Sequence, residues 1–348
     1  MPVNPTVEAT LNIRKLSLFL IGTALLAGCG PSSDDKSAST TAGGSSTTTG
    51  GGSGQELTIA VIPKGTTHDY WKSVEAGAED AGKEFGAKIL WKGPLKEDDR
   101  AGQIQVVQQF TADNVSGIVL APLDKDALVS PVKAAMDKKI PVVIIDSALS
   151  AEPGTDFASL VATDNRKAGE MGGDRLAKLL GGKGKVVLLR YMEGSASTED
   201  REQGFMDAMK KNPGITVISD TNYAGSTQAE AQTKAMQMID TLKQADGIFT
   251  PNESSTRGML QALVQNGMAG KVKFVGFDTA DALIEAIKAK QIDALVAQNP
   301  TKMGYEGVKA VIAKIKRQPV EASIDTGAVV IDADNLETAD IQKLLGAK

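Results

Sequence analysis

The stretch "THDYW", Thr67 to Trp71, holds the only histidine of 348 residues, beside a tyrosine and one of two tryptophans, in a chain that is 4% aromatic. It follows the apolar run "IAVIP", and other apolar runs end on comparably polar groups. "PVVIID" ends on Asp146, "LVATDN" on Thr163, Asp164 and Asn165, "GIFTPNE" on Asn252 and Glu253, "KFVGFD" on Phe277 and Asp278, and "ALVAQN" on Gln298 and Asn299. Arg201 and Glu202 open the helical stretch after "KVVLLR". Carboxylates and amides bind adjacent hydroxyls, a guanidinium offers several fixed donors, and flat rings cover C–H faces. That inventory suits a neutral sugar, with Tyr70 and Trp71 as a stacking wall and His68 as a neutral hydrogen-bonding nitrogen at its edge.

Plainer roles stand beside these. Tyr70 and Trp71 open a helix and can pack beneath the next strand with Asp69 as N-cap. Asp146 and Asp164 can be turn or cap residues, Arg201 a solvated helix residue, and Glu253 a complement to its own helix dipole. Catalytic motifs are scarce. No Gly-x-Gly-x-x-Gly turn or phosphate-binding loop follows a strand, "GGKGK" precedes one, and there is no Gly-x-Ser-x-Gly elbow. A carboxylate pair such as Asp146 with Asp278 could in principle cleave glycosides. One cysteine and one histidine cannot furnish a Cys/His zinc site, so neither metal nor cofactor is expected.

The elements that must position these groups follow from periodicity. Ten short β-rich runs, "LTIAVIP", "AKILWK", "SGIVLAP", "IPVVIID", "ASLVAT", "KVVLLR", "ITVIS", "DGIFTP", "VKFVGFD" and "DALVAQ", alternate with amphipathic segments such as "YWKSVEAGAEDAGKEF" and "TQAEAQTKAMQMIDTL". Repeated βα units predict parallel sheets with helices on both faces, and the length fits two lobes. Ligands of open parallel sheets bind beyond the carboxyl ends of the strands, where the polar residues cluster.

A formal net charge of -5 and the absence of a basic stripe argue against nucleic acid. Arg14 and Lys15 precede "LSLFLIGTALLAG", an apolar run too short to span a bilayer comfortably, which reads as an export signal over residues 1–28. "LAGC" resembles a bacterial lipobox, making Cys29 the expected lipidation site. Residues 29–55 are rich in Gly, Ser and Thr and predict a flexible tether.

At "VVIIDS", "VATDNRKAG", "DREQGF", "IFTPNESSTRGML", "VGFD" and "LVAQNPTKMGYEGV" the chain resembles the periplasmic sugar-binding proteins of ABC transporters, in the ribose-binding branch that shares its core with LacI-type repressors. The resemblance runs from about Glu56 to the C-terminus. It implies ligand contacts at His68, Tyr70, Trp71, Asp146, Arg201, Asn252, Asp278 and Gln298, with Phe277 and Tyr223 as apolar walls. It also implies the type I periplasmic binding protein fold, two similar doubly wound parallel-sheet lobes joined by three crossover strands near Thr163, Gln298 and Gly327. The lobes would be 56–163 plus 299–327 and 164–298 plus 328–348. The function implied is not enzymatic. A monomeric, lipid-anchored protein of the periplasm would bind a pentose, hexose or polyol and deliver it to a membrane permease, or serve a chemoreceptor or histidine kinase as a sugar sensor. A repressor would need a helix-turn-helix where this chain has a signal and tether. Ala121 and Ser147 replace an asparagine and an arginine of ribose binders, and His68 replaces another asparagine, which points away from ribose itself.

Overall fold

A computed structural model describes residues 56–346. The expected signal over 1–28, Cys29 and the tether to residue 55 lie outside the described residues. No described helix is long and apolar enough to cross a membrane.

The chain begins with β1 (Leu57–Ile62), α1 (Asp69–Phe85), β2 (Ala87–Trp91), α2 (Arg100–Ala112), β3 (Gly117–Leu120), α3 (Val129–Asp137), β4 (Val142–Ile145) and β5 (Ser159–Ala162). It continues through α4 (Asn165–Leu179), β6 (Lys183–Arg190), α5 (Ala196–Lys210), β7 (Gly214–Tyr223), α6 (Gln228–Gln237) and α7 (Ile239–Leu242). Then come β8 (Gly247–Phe249), α8 (Glu253–Gln265), β9 (Lys273–Phe277), α9 (Asp281–Lys288) and β10 (Ala294–Gln298). The last elements are α10 (Pro300–Ile315), β11 (Ser323–Asp325), β12 (Ala328–Asp332) and α11 (Ala339–Leu344).

Two six-stranded sheets result, ordered β11-β5-β4-β3-β1-β2 and β12-β10-β9-β8-β6-β7. The orders superimpose strand for strand, so β4 and β9 occupy equivalent places, as do β1 and β6. All pairings are parallel except β10 with β12. The chain passes between the sheets after β5, after β10 and between β11 and β12.

Covering both faces explains the near-continuous apolar strands. Along β1, Ile59 and Val61 enter one core while Ala60 and Ile62 enter the core on the opposite face. Along β6, Val187 and Leu189 divide from Val186 and Leu188 in the same way. The expected helix "TQAEAQTKAMQMIDTL" is interrupted at Met238, which ends α6 and precedes α7. Two short strands, β11 and β12, join the ten expected runs, each adding an edge.

One helix contact sets the site directly. A Cβ on Gly169 of α4 would lie 2.0 Å from the Arg201 carbonyl oxygen, and one on Gly204 of α5 would lie 2.0 Å from that of Arg166. Only hydrogen at both positions lets α4 and α5 approach this closely, and the approach fixes the backbone that carries Arg201.

Candidate functional site

The carboxyl ends of the two sheets face one another around a narrow cavity of about 30 Å³. That is far below the several hundred Å³ of a small-molecule site, so the facing side chains fill most of the cleft. Its walls are Lys64, His68, Tyr70, Trp71, Glu97 and Asp146 from the first lobe, Tyr191, Ser197, Thr198, Arg201, Asn252, Glu253 and Asp278 from the second, and Gln298 at a crossing.

The two lobes each aim a carboxylate from the same place. Asp146 follows β4 and Asp278 follows β9, and both adopt left-handed backbone conformations, with φ of 64° and 68°. Such angles cost a non-glycine residue of order 1 kcal/mol and collect at functional sites. Before the chain turns away, each residue donates its N–H across the sheet, Asp146 to the Val161 carbonyl at 3.1 Å and Asp278 to that of Val296 at 2.9 Å.

Each carboxylate is then held. Asp146 accepts from the Tyr70 hydroxyl at 2.9 Å and pairs with Lys64 Nζ at 2.8 Å. Lys64 also donates to Ser197 Oγ of the opposite lobe at 2.9 Å. Asp278 accepts from Gln298 Nε2 at 2.7 Å and from the Glu253 N–H at 2.8 Å. Burial lifts the Asp278 pKa to about 6, with Arg201 and the Gln298 donor pulling the other way.

Arg201 is 2% exposed and lies over the Phe277 ring, 4.3 Å from its centroid. Its Nε donates to Asn165 Oδ1 at 2.8 Å and its Nη1 to the Pro251 carbonyl at 3.0 Å. Its Nη2 is buried with no hydrogen-bond partner. A guanidinium nitrogen withdrawn from water without an acceptor is costly, so this donor calls for an acceptor from a ligand.

A second buried network forms around Glu97. Its Oε1 accepts from Trp71 Nε1 at 2.6 Å and lies 2.8 Å from His68 Nδ1, while its Oε2 accepts from the Tyr191 hydroxyl of the other lobe at 2.6 Å. Burial alone would push the His68 pKa down, but Glu97 overcomes it and, with Glu253 and Asp278, raises it to about 9. Burial would raise the Glu97 pKa, yet His68, Lys64 and the Tyr191 donor hold it at about 2. The expectation of a neutral His68 is therefore corrected: beside this carboxylate it is an imidazolium. Burial and neighbouring carboxylates push the Tyr70 and Tyr191 hydroxyls well above the ordinary tyrosine range, so both are donors.

Of the residues singled out in the sequence, His68, Tyr70, Trp71, Asp146, Arg201, Asn252, Asp278 and Gln298 converge on the cavity. Trp71 is 3% exposed and belongs at once to the cavity wall and to the core around Val74 and Met303, with its ring edge-on to Tyr70. Asn252 caps α8, accepting from the Ser255 N–H. Phe277 stands behind Arg201 rather than at the cavity surface. Tyr223 ends the edge strand β7 at 37% exposure and is not among the lining residues. Asp69 does not cap α1; His68 is the N-cap residue, and its side chain makes no capping bond.

Lys64, Glu97, Tyr191, Ser197 and Thr198 were not singled out. Lys64 and Tyr191 sit one or two residues past the tips of β1 and β6, where the strand-end rule applies equally well. Glu97 stands in the charged loop "LKEDDR" with nothing local to mark it. Among the described residues no group of three or more His, Cys, Asp or Glu side chains could hold a metal ion.

Comparison with known proteins adds three findings. Residues 59–319 match the family model of the periplasmic binding protein domain. A D-allose-binding periplasmic protein of Escherichia coli K12 is 29% identical over 258 residues, 73% of this chain and 83% of that protein. Two crystal structures of solute-binding proteins align at 35% identity. A carbohydrate transporter protein of Agrobacterium radiobacter in complex with D-arabinose has a TM-score of 0.80 over 84% of this chain and 99% of that one. An ABC transporter protein of Agrobacterium vitis with bound D-fucose has a TM-score of 0.79 over 82% and 98%.

Proposed function

This chain belongs to the periplasmic binding protein domain family, and from that premise we propose that it binds one neutral monosaccharide, a pentose, hexose or related polyol, between its two lobes and hands it to a membrane permease. The observation that carries the reading is Arg201, which lines the cavity beside Asp146 and Asp278 and whose Nη2 is buried without a partner. A sugar hydroxyl can accept from the guanidinium and donate to a carboxylate at once, and a sugar presents several such hydroxyls on one ring.

Charge supports neutrality. Lys64, His68 and Arg201 stand against Glu97, Asp146, Glu253 and Asp278, and most of these are already paired with one another. A sugar acid or phosphate would add an anion to a site with no surplus cation, at a desolvation cost. The relatives' ligands, D-allose, D-arabinose and D-fucose, are neutral monosaccharides and support the same class. The reading includes export to the periplasm and a lipid anchor on Cys29, so that the binding domain stays tethered near its permease.

A thermal-shift panel of pentoses, hexoses, polyols, sugar acids and amino acids tests this. A ligand at a hundred times its Kd adds about 2.7 kcal/mol of stability. The expected result is a shift with one or a few neutral monosaccharides; shifts confined to amino acids or sugar acids would overturn the substrate class.

A further inference from the structure

Helix α1 has no cap of its own. The His68 imidazole turns to Glu97 and its carbonyl takes the Trp71 N–H, leaving the Asp69 and Tyr70 N–H groups without a local acceptor. They are bound from the opposite lobe. Glu253, the first residue of α8, accepts from the Asp69 N–H at 3.3 Å through Oε1 and from the Tyr70 N–H at 2.9 Å through Oε2. Its side chain is 3% exposed, and its other side-chain partner is Arg257, at 3.1 Å. Arg257 in turn reaches Asp69 at 3.2 Å, again across the lobes.

Helix α8 does not need this carboxylate. The Asn252 side chain caps it, and Asp278 takes the Glu253 N–H. The Glu253 side chain is thereby free to serve α1. Without it, two helix N-termini, each carrying partial positive charge, would face one another across the cleft. Separating the lobes would remove the acceptor from both α1 donors and return a buried carboxylate to water.

We propose that Glu253 is a closure latch: its carboxylate caps α1 only when the lobes are together, and so sets how long the closed state lasts. This rests on the reading that a sugar binds between the two lobes, and it assigns Glu253 a positioning role in holding those lobes together. A carboxylate with one hydrogen-bonding partner in its own lobe and two backbone donors in the other is the arrangement such a role requires.

Single-molecule fluorescence energy transfer between the lobes tests it without needing a ligand. Labels are placed at Lys88→Cys and Lys210→Cys, both exposed positions, in a full-length chain carrying Cys29→Ser. The ligand-free protein is expected to visit a short-distance state, and Glu253→Ala to shorten its dwell time about five- to thirty-fold, the scale of a lost helix cap. Glu253→Gln, which keeps an acceptor oxygen but not the charge, should fall between. Circular dichroism identifies a variant that fails to fold, in which case Glu253→Gln decides. Unchanged dwell times in the folded variants, or no short-distance state in the parent, would overturn the latch. Adding D-arabinose, D-ribose and D-allose forms a separate arm: if none lengthens the closed dwell, the sugar reading suffers while the Glu253 comparison still stands.

Discussion

Replacing Glu97 with glutamine isolates the buried network, and the chain supplies its own probe because His68 is the only histidine. In the parent protein the imidazole should titrate near 9 against its ordinary 6.5. At about 1.36 kcal/mol for each pKa unit, that difference corresponds to about 3 kcal/mol of net preference for the charged form in the folded state, pairing less the cost of burial. Because the folded pKa is the higher one, this stabilisation is fully present below pH 6.5 and disappears as pH rises from 6.5 through 9. At the acid end the same pair weakens as pH falls from 4.5 through about 2, where Glu97 takes up its proton. In Glu97→Gln the charge that overcomes burial is gone, so the histidine pKa should drop by about two units or more. Proton–carbon NMR of the single imidazole, on a chain purified without a histidine tag, reads this directly, and urea unfolding at pH 6 and pH 10 reads the linked stability. A parent imidazole titrating near 6.5, or a Glu97→Gln titration unchanged from the parent, would refute the reasoning.

Further consequences follow from the same geometry. Under the proposed function sugar hydroxyls would donate to the ionised form of Asp278, whose pKa burial lifts to about 6. Affinity should therefore fall as pH drops below about 6, and Asp278→Asn should bind weakly with that limb flattened; equal affinity at pH 5 and pH 8 in the parent would count against this. Gly169→Ala places a methyl 2.0 Å from the Arg201 carbonyl oxygen, and should cost about 1 to 3 kcal/mol in chemical unfolding as α4 and α5 are forced apart; parent-like stability would show that the helices shift freely. Tyr223→Ala should leave sugar affinity within about twofold, since this residue is half-exposed and outside the cavity wall; a large loss would restore it to the site.

Much of this molecule is visible in its sequence because burial on two faces leaves a strong signal. The run "IAVI" reads as strand since Ile59 and Val61 fill one core and Ala60 and Ile62 the other. Strands β11 and β12 escape the same test: "SID" is three residues long, and both are mostly part-exposed edges. At the site, Asp146 and Asp278 were legible as polar residues at strand ends, because a parallel sheet directs its tips to one side. Their left-handed backbones were not, since aspartate occurs in ordinary turns as well. Glu253 illustrates the deeper limit. Its sequence position suggests a complement to its own helix, yet its acceptors serve residues more than 180 positions away, an arrangement created only when two lobes meet. Glu97 is similar, with partners on β1's loop, on α1 and beyond β6. Tyr223 shows the reverse error, a ring expected in the pocket that the long edge strand β7 carries to the surface.

The most direct test of the account is calorimetric titration of the full-length chain and of Arg201→Met with the monosaccharide that stabilises the chain best. The buried, unpartnered guanidinium nitrogen predicts one-to-one binding by the parent. A charge-assisted hydrogen bond of about 1.5 to 3 kcal/mol predicts affinity at least tenfold weaker in the variant. Equal affinity in both proteins, or no heat with any neutral monosaccharide, would contradict the central claim.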